Sequence, residues 1–134
     1  MAVINRTDVD SLIEVTQISD LSINAYSMNF NFDATVINNL VNLSTLELSG
    51  LQAQDGTKIA TLNNLTGLKI LRLSLNSAPD VDPFNLNNLG SFTNLEELSL
   101  TNVNTTDLSA LENMSNLKKL SIDNNGYNYN NEDS

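Results

Sequence analysis

Apolar residues recur along the chain in the pattern Leu-x-x-Leu-x-Leu, with mostly polar residues between them. Five copies, some with conservative replacements, are present: Ile18/Leu21/Ile23, Leu43/Leu46/Leu48, Leu68/Leu71/Leu73, Leu95/Leu98/Leu100 and Leu117/Leu120/Ile122. Their first positions are separated by 25, 25, 27 and 22 residues. Periods of this length are typical of proteins in which one supersecondary unit stacks on the next. We therefore predict a repeat domain.

Each copy ends in an alternation of apolar and polar residues. An alternation of period two is the pattern of a β-strand with one buried face. We predict these strands near residues 20–24, 45–49, 70–74, 97–101 and 119–123.

Ahead of each strand lies a second apolar pattern, in which the apolar residues are three positions apart. This spacing keeps one side of a short α or 3₁₀ helix against a core. The ladders are Leu12/Val15/Ile18, Ile37/Leu40/Leu43, Leu62/Leu65/Leu68, Leu86/Leu89/Phe92/Leu95 and Leu108/Leu111/Met114/Leu117. A strand, a short helix and the next parallel strand form a right-handed crossover. The predicted fold class is α/β, a short right-handed solenoid with five parallel strands on its concave face and the helices on its convex face.

Residues that favour helix starts stand at matching places in the repeats. The predicted starts are Ser11 with Glu14, Asp33, Thr57, Asp82 ahead of Pro83, and Thr106 or Asp107. The 134 residues are long enough for one domain of stacked repeats. We divide this domain, residues 1–134, into a helical cap at about 8–17, five repeats at about 18–127 and a polar tail at 128–134.

One repeat carries a resemblance to a known family. The pattern Leu95-x-x-Leu98-x-Leu100-x-x-Val103-x-Thr105-x-x-Leu108-x-x-Leu111-x-x-Met114, followed by Leu117, resembles the 22-residue leucine-rich repeat of bacterial internalins. The resemblance covers about residues 12–127. It implies a leucine-rich-repeat solenoid that binds a protein partner on its concave sheet.

The charge and the missing residue types narrow the classes of function. Sixteen acidic and six basic residues give a net charge of −10, which repels phosphate backbones and anionic membrane surfaces. The chain has no His and no Cys, so the usual general base and the usual zinc ligands are missing. We therefore expect no catalytic residues, no metal site, no cofactor and no nucleic-acid partner. We also expect no membrane span, because no apolar run reaches about 18 residues.

The compartment is not determined by the sequence. Without Cys the redox environment stays open. Residues 1–8 contain no basic region that leads into an apolar stretch, so we expect no secretory signal there. On this basis an intracellular or virion location is favoured.

The outward strand positions are the candidate partner-binding residues. They are Ser22, Asn24, Glu47, Ser49, Arg72, Ser74, Ser99, Thr101, Ser121 and Asp123. Glu47 and Arg72 are the expected energetic anchors, since interface energy concentrates on few residues and Arg is enriched among them. In the alternative interpretation these residues only solvate the sheet, with Glu47/Arg72 and Glu97/Lys119 as cross-strand ion pairs.

The C-terminal end is a second candidate site. After Ile122 no further apolar ladder follows, although the last turn of a solenoid needs a polar cap. Either Tyr127 and Tyr129 fold back as a minimal cap, or the end docks onto another chain and forms a homo-oligomer or a larger assembly. The predicted function is a non-catalytic protein-interaction module, and the alternative is a structural component of a virion or surface layer.

Overall fold

The chain folds as an α/β arrangement of one parallel sheet and short helices. The computed structural model describes residues 2–4, 16–24, 34–51, 55–75, 84–103, 105 and 107–123. The strands are β1 (Ala2–Ile4), β2 (Asp20–Asn24), β3 (Thr45–Leu51), β4 (Ile70–Leu75), β5 (Glu97–Thr101) and β6 (Lys119–Asp123). The helices are α1 (Ala34–Asn38) and α2 (Gly56–Ile59), and the 3₁₀ helices are η1 (Leu86–Leu89) and η2 (Ser109–Asn113).

The six strands lie in the sheet in the order in which they occur along the chain, and all neighbouring pairs are parallel. Strands β2 to β6 confirm the five strands predicted from the alternation, and all five begin at the predicted residue. The sequence analysis missed β1, because three residues are too short to show an alternation. β1 extends the sheet beyond β2 through the pairs Ala2/Leu21, Val3/Ser22 and Ile4/Ile23.

The leucine at the second apolar position of each repeat lies opposite its equivalents in the neighbouring strands. This row runs through Leu21, Leu46, Leu71, Leu98 and Leu120. The first four side chains are 0% exposed, whereas Leu120 on the last strand is 45% exposed. The row is therefore a continuous part of the core that ends at β6.

A repeated backbone arrangement fixes the start of each strand. The carbonyl oxygen of Ser19 accepts the N–H groups of Ser44 and Thr45, at 2.7 and 3.0 Å. In the next repeats the equivalent carbonyls of Ser44, Lys69 and Glu96 each accept two N–H groups in the same way, over 2.8 to 3.1 Å. Because these repeats use the same pair of bonds, strands β2 to β6 pair one-to-one from their first residues, and the pairing of β3 with β4 shifts only after Ser49, where Gly50 forms a bulge.

The helices close the other side of the core. Most residues of the described apolar ladders are buried, and Ile37, Ile59, Leu62 and Leu89 are 0% exposed. The last ladder is less covered, with Leu108 exposed and Leu111 and Leu117 partly buried, and Leu12 and Val15 of the first ladder lie outside the described residues. The helices are only four or five residues long, because apolar residues spaced three apart suit 3₁₀ turns better than long α-helices.

The helix starts differ in part from the sequence prediction. Helix α2 begins at Gly56, so Thr57 lies inside it and is not its N-cap. Helix η1 is capped by Asn85, whose side chain accepts the N–H of Asn87 at 2.9 Å, and Asp82 lies outside the described residues. At η2 the N-cap position is Leu108, one residue after the predicted Asp107, whose side chain accepts the N–H of Ser109 at 2.9 Å; Thr106 lies outside the described residues. Hydrogen bonds from the backbone and side chain of Ser109 hold the pKa of Asp107 below its ordinary value.

Two residues at strand ends adopt a left-handed backbone conformation. Gly50, with φ of 81°, and Asn102, with φ of 60°, each stand two residues after the last leucine of their repeat. Glycine and asparagine are the residues that tolerate this conformation. The turn places the following residues, Leu51 and Val103, in the core at 1% exposure.

We expect the interior leucines to carry much more of the stability than their equivalent at the end. Leu71→Ala leaves a cavity in a fully buried row and should lower the free energy of unfolding by about 2 to 5 kcal/mol. Leu120→Ala removes a side chain that is already half in water, so its cost should stay below about 2 kcal/mol. Urea denaturation of both variants in dilute solution measures the difference, and equal costs would contradict the assigned core.

Gly56 should not tolerate a side chain, although Gly67 should. A Cβ atom at Gly56 would lie 2.7 Å from Nδ2 of Asn88 and 2.9 Å from Cε1 of Phe84, which is 2% exposed. Gly56→Ala should therefore destabilise the chain by about 1 to 3 kcal/mol. Gly67→Ala is the matched control, because a Cβ there meets nothing closer than 3.9 Å. Thermal unfolding of the two variants tests this, and a Gly56→Ala variant as stable as the control would show that the contact between α2 and Phe84 is not tight.

Candidate functional site

The strand register gathers the predicted partner-binding residues on one face of the sheet, which we call the polar face. Its central row is Ser22, Glu47, Arg72, Ser99 and Ser121. Its second row is Asn24, Ser49, Ser74, Thr101 and Asp123, and its third row is Asp20, Thr45, Ile70, Glu97 and Lys119. The prediction that these residues share a face and align in rows is confirmed.

Glu47 is held by a residue of its own row. The hydroxyl of Ser22 on β2 donates to Oε1 of Glu47 on β3 at 3.0 Å, and Ser22 is 9% exposed. Next to it, the hydroxyl of Ser49 donates to the backbone carbonyl of Ile23 at 3.3 Å. The polar face at β2 and β3 is thus tied together by serine hydroxyls.

Arg72 forms an ion pair with Glu97, which the sequence analysis had paired with Lys119. Its Nη2 atom lies 3.1 Å from Oε2 of Glu97 on β5, diagonally across the strands. The predicted ion pairs Glu47/Arg72 and Glu97/Lys119 are therefore wrong, since Arg72 and Glu97 pair with each other. Diagonal neighbours on adjacent strands are about 7 to 8 Å apart, a distance that a long side chain such as arginine can span.

The exposure of the face varies from strand to strand. Asn24 at one side and Ser121 at the other are exposed, whereas Ser49, Ser74, Ser99, Thr101 and Asp123 are partly buried. The side chains of the Arg72–Glu97 pair are 38% and 23% exposed. Solvent therefore reaches part of the face on every strand from β2 to β6, including the central ion pair, whereas Ser22 and Thr45 on the same face are buried.

The second candidate site, the C-terminal end, presents apolar surface. Leu120 of β6 is 45% exposed and Leu108, just before η2, is 47% exposed, although the equivalent Leu98 and Leu86 are buried. The two tyrosines predicted to cap or dock this end, Tyr127 and Tyr129, lie outside the described residues. The missing apolar ladder after Ile122 indicates that core residues at an uncovered end would be exposed, but it does not single out Leu108 and Leu120, since both fit the apolar pattern of their repeat.

Metal clusters and membrane-spanning helices are both absent from the described part of the chain. Among the described residues, no group of three or more Asp, Glu, His or Cys side chains is placed to hold a metal ion. Within those ranges there is also no helix with the length and apolar character needed to cross a membrane.

Comparisons with known proteins add no relatives to this picture. No protein-family model matches the chain, and no curated protein matches it.

We expect Arg72 to be energetically coupled to Glu97 and only weakly to Glu47. Both charged groups of the Arg72–Glu97 pair are partly in water, so the coupling should be about 0.2 to 1 kcal/mol and should weaken at high salt. A double-mutant cycle with Arg72→Met and Glu97→Gln measures it. The matched cycle with Glu47→Gln should give a smaller value, and a larger coupling to Glu47 would contradict the observed pairing.

Proposed function

We propose that this chain is a leucine-rich-repeat solenoid that binds a protein partner through the polar face of its sheet and performs no catalysis. The observation that carries the proposal is the register of β2 to β6, which is one-to-one over the three rows of the polar face and shifts only beyond Ser49 of β3; it arranges hydroxyl, amide and charged side chains in continuous rows. A regular array of this kind offers a partner many hydrogen-bonding groups at fixed spacing.

The solenoid part of the proposal is supported by the repeating geometry. Equivalent leucines align across the strands, and equivalent carbonyls accept the same two N–H groups in each repeat. Stacked units whose contacts are made mainly with the preceding and following unit are the defining property of a solenoid. The leucine spacing and the short helices between the strands fit the leucine-rich class.

Binding through the polar face is supported by side chains that are already oriented. Ser22 fixes Glu47, and Glu97 fixes Arg72, so these side chains lose little conformational freedom when a partner docks. A guanidinium has five N–H donors and a carboxylate has several acceptor sites. Each group therefore retains hydrogen-bonding capacity for a partner after its intrachain bond is made.

The charges on this face indicate the kind of partner. Asp20 and Glu47 make the β2–β3 side acidic, and the ion pair of Arg72 and Glu97 lies at the centre. We propose a protein surface that places a basic group over Glu47 and an acidic or carbonyl group over Arg72. Complementary charges of this type set the orientation and the rate of association more than the affinity.

A pair of substitutions on the polar face should abolish partner capture. Arg72→Glu reverses the central charge, and Ser99→Trp fills the neighbouring position of the same row with a bulky ring. Immobilised variant and wild-type chains are compared for the proteins that each retains from an extract of the source organism. We expect the proteins specific to the wild type to disappear.

The matched control makes the same change in charge and volume away from the polar face. It combines Lys118→Glu, before β6, with Ala60→Trp, at the exposed end of α2. This control should retain the same proteins as the wild type. If the polar-face variant also retains them, the partner site lies elsewhere and the proposal fails.

A structural role in a larger assembly is the second candidate function. It is favoured by the exposed Leu108 and Leu120, which form apolar surface at one end of the molecule. A structural component should co-purify with particles in fixed stoichiometry, whereas a binding module should be recovered in variable, substoichiometric amounts.

A further inference from the structure

Strand β6 has one edge that no other described strand covers. It is the last strand in the sheet order and pairs with β5 on its other side. In each earlier repeat the carbonyl before the strand accepts two N–H groups from the next repeat, and among the described residues the row of acceptors used in this way ends at Glu96. This edge, which no described strand covers, thus has the backbone groups needed to pair with another strand.

The hydrogen bonds to β5 show which groups of β6 point away from the sheet. The N–H of Lys119 donates to Glu96, and the carbonyl of Asp123 accepts from Asn102 at 2.6 Å. Residues 119, 121 and 123 therefore direct their backbone groups towards β5. Since these directions alternate along a strand, Leu120 and Ile122 direct their N–H and carbonyl groups outwards.

The residues of β6 form a sequence that complements itself when read in the opposite direction. The strand is Lys-Leu-Ser-Ile-Asp, with Ser121 at its middle. An antiparallel copy centred on Ser121 places Lys119 opposite Asp123 and Leu120 opposite Ile122, twice over. Opposite charges and apolar pairs are the cross-strand combinations that stabilise a sheet.

From these features we propose that two copies of this chain associate through β6, antiparallel and in the register centred on Ser121, and so extend the sheet across both molecules. In this arrangement Leu120 and Ile122 exchange backbone hydrogen bonds, which is consistent with their outward groups. The half-exposed Leu120 packs against Ile122 of the second copy on the core side of the sheet. The proposal does not depend on partner binding by the polar face, and its test measures only the association of the chain with itself.

Charge selects this register from the others that the backbone permits. Hydrogen bonding also permits two other registers. With Leu120 opposite Leu120, Lys119 lies opposite Ser121, and with Ile122 opposite Ile122, Asp123 lies opposite Ser121. Only the central register places Lys119 against Asp123. None of the ion pairs among the described residues includes Lys119, and the carboxylate of Asp123 has enough acceptor sites to add a second copy's lysine to its existing interactions.

The association should be weak and reversible. One short strand with a few apolar side chains buries less surface than a standard stable interface of about 1,200 to 2,000 Å². The net charge of −10 on each copy also opposes association, although Lys119 places one positive charge on β6. Analytical ultracentrifugation between about 1 μM and about 1 mM covers the range where such a dimer forms. We expect the mass to rise towards twice that of the chain, and a monomer throughout the range would overturn the proposal.

Two charge reversals test the register. Lys119→Asp and Asp123→Lys each place like charges opposite each other twice, so each variant alone should remain monomeric at concentrations where the wild type dimerises. An equimolar mixture of the two variants restores opposite charges at both positions, and it should form a heterodimer. Lys118→Asp is the matched control, because it makes the same change in charge one residue before β6 and should still dimerise. Circular dichroism checks that all variants are folded.

A disulfide provides a direct measure of the geometry. Ser121 would lie opposite its own copy in a pair without backbone hydrogen bonds, where Cα atoms are about 4.5 Å apart. This distance is within the 4.4 to 6.8 Å that disulfides span. The chain has no cysteine, so Ser121→Cys should form a covalent dimer on mild oxidation, whereas Ser99→Cys, at the same row position on the interior strand β5, should not.

The results of these experiments distinguish a failure of the proposed β6 register from a failure of partner binding by the polar face. Equal cross-linking of both cysteine variants, loss of association in Lys118→Asp, or a mixture that stays monomeric would each overturn the proposed register. Loss of partner capture by the polar-face variant with intact dimerisation would leave this inference standing, since the two surfaces are tested by different substitutions and readouts.

Discussion

The structure depends on the backbone pairing between successive parallel strands. From β2 to β6 the chain leaves each strand, passes through a short helix and returns beside the strand that it left. The carbonyl oxygen before each of β2 to β5 accepts two N–H groups at the start of the next strand, which sets where that next strand begins. A shift of one residue would turn the leucines towards solvent and the serines towards the core. The register and the buried apolar row therefore stabilise each other.

This register also determines the chemistry of the polar face. Side chains 25 or more residues apart in sequence become neighbours only because their strands align, as for Ser22 with Glu47 and Arg72 with Glu97. The hydroxyl of Ser22 orients Glu47, and the ion pair between Arg72 and Glu97 orients both of its side chains. The proposed partner surface is in this sense a product of strand alignment, and its residues have no special arrangement along the chain.

The leucines of interior repeats and those of the repeat that contains β6 differ in burial for a physical reason. An interior leucine such as Leu71 is covered by the repeats before and after it, whereas Leu120 has a neighbour on one side among the described residues. The same incomplete covering affects Leu108 in the helical layer and the outer edge of β6. No described strand pairs with the outer edge of β6, so this edge presents the backbone groups that an adjoining strand would bind.

The sequence by itself determined the strands, their order of repetition and the side of each strand that faces the core, since apolar periodicity is a local property. It also placed the ten candidate partner-binding residues on one face, because alternation and a constant repeat fix their rows. It did not identify β1, which is too short for a pattern, or the partner of Arg72, which depends on how a long side chain crosses between rows. Tertiary structure alone decided the helix start at Asn85 and the exposure of Leu120, since capping geometry depends on the local backbone and burial on what lies beside each strand.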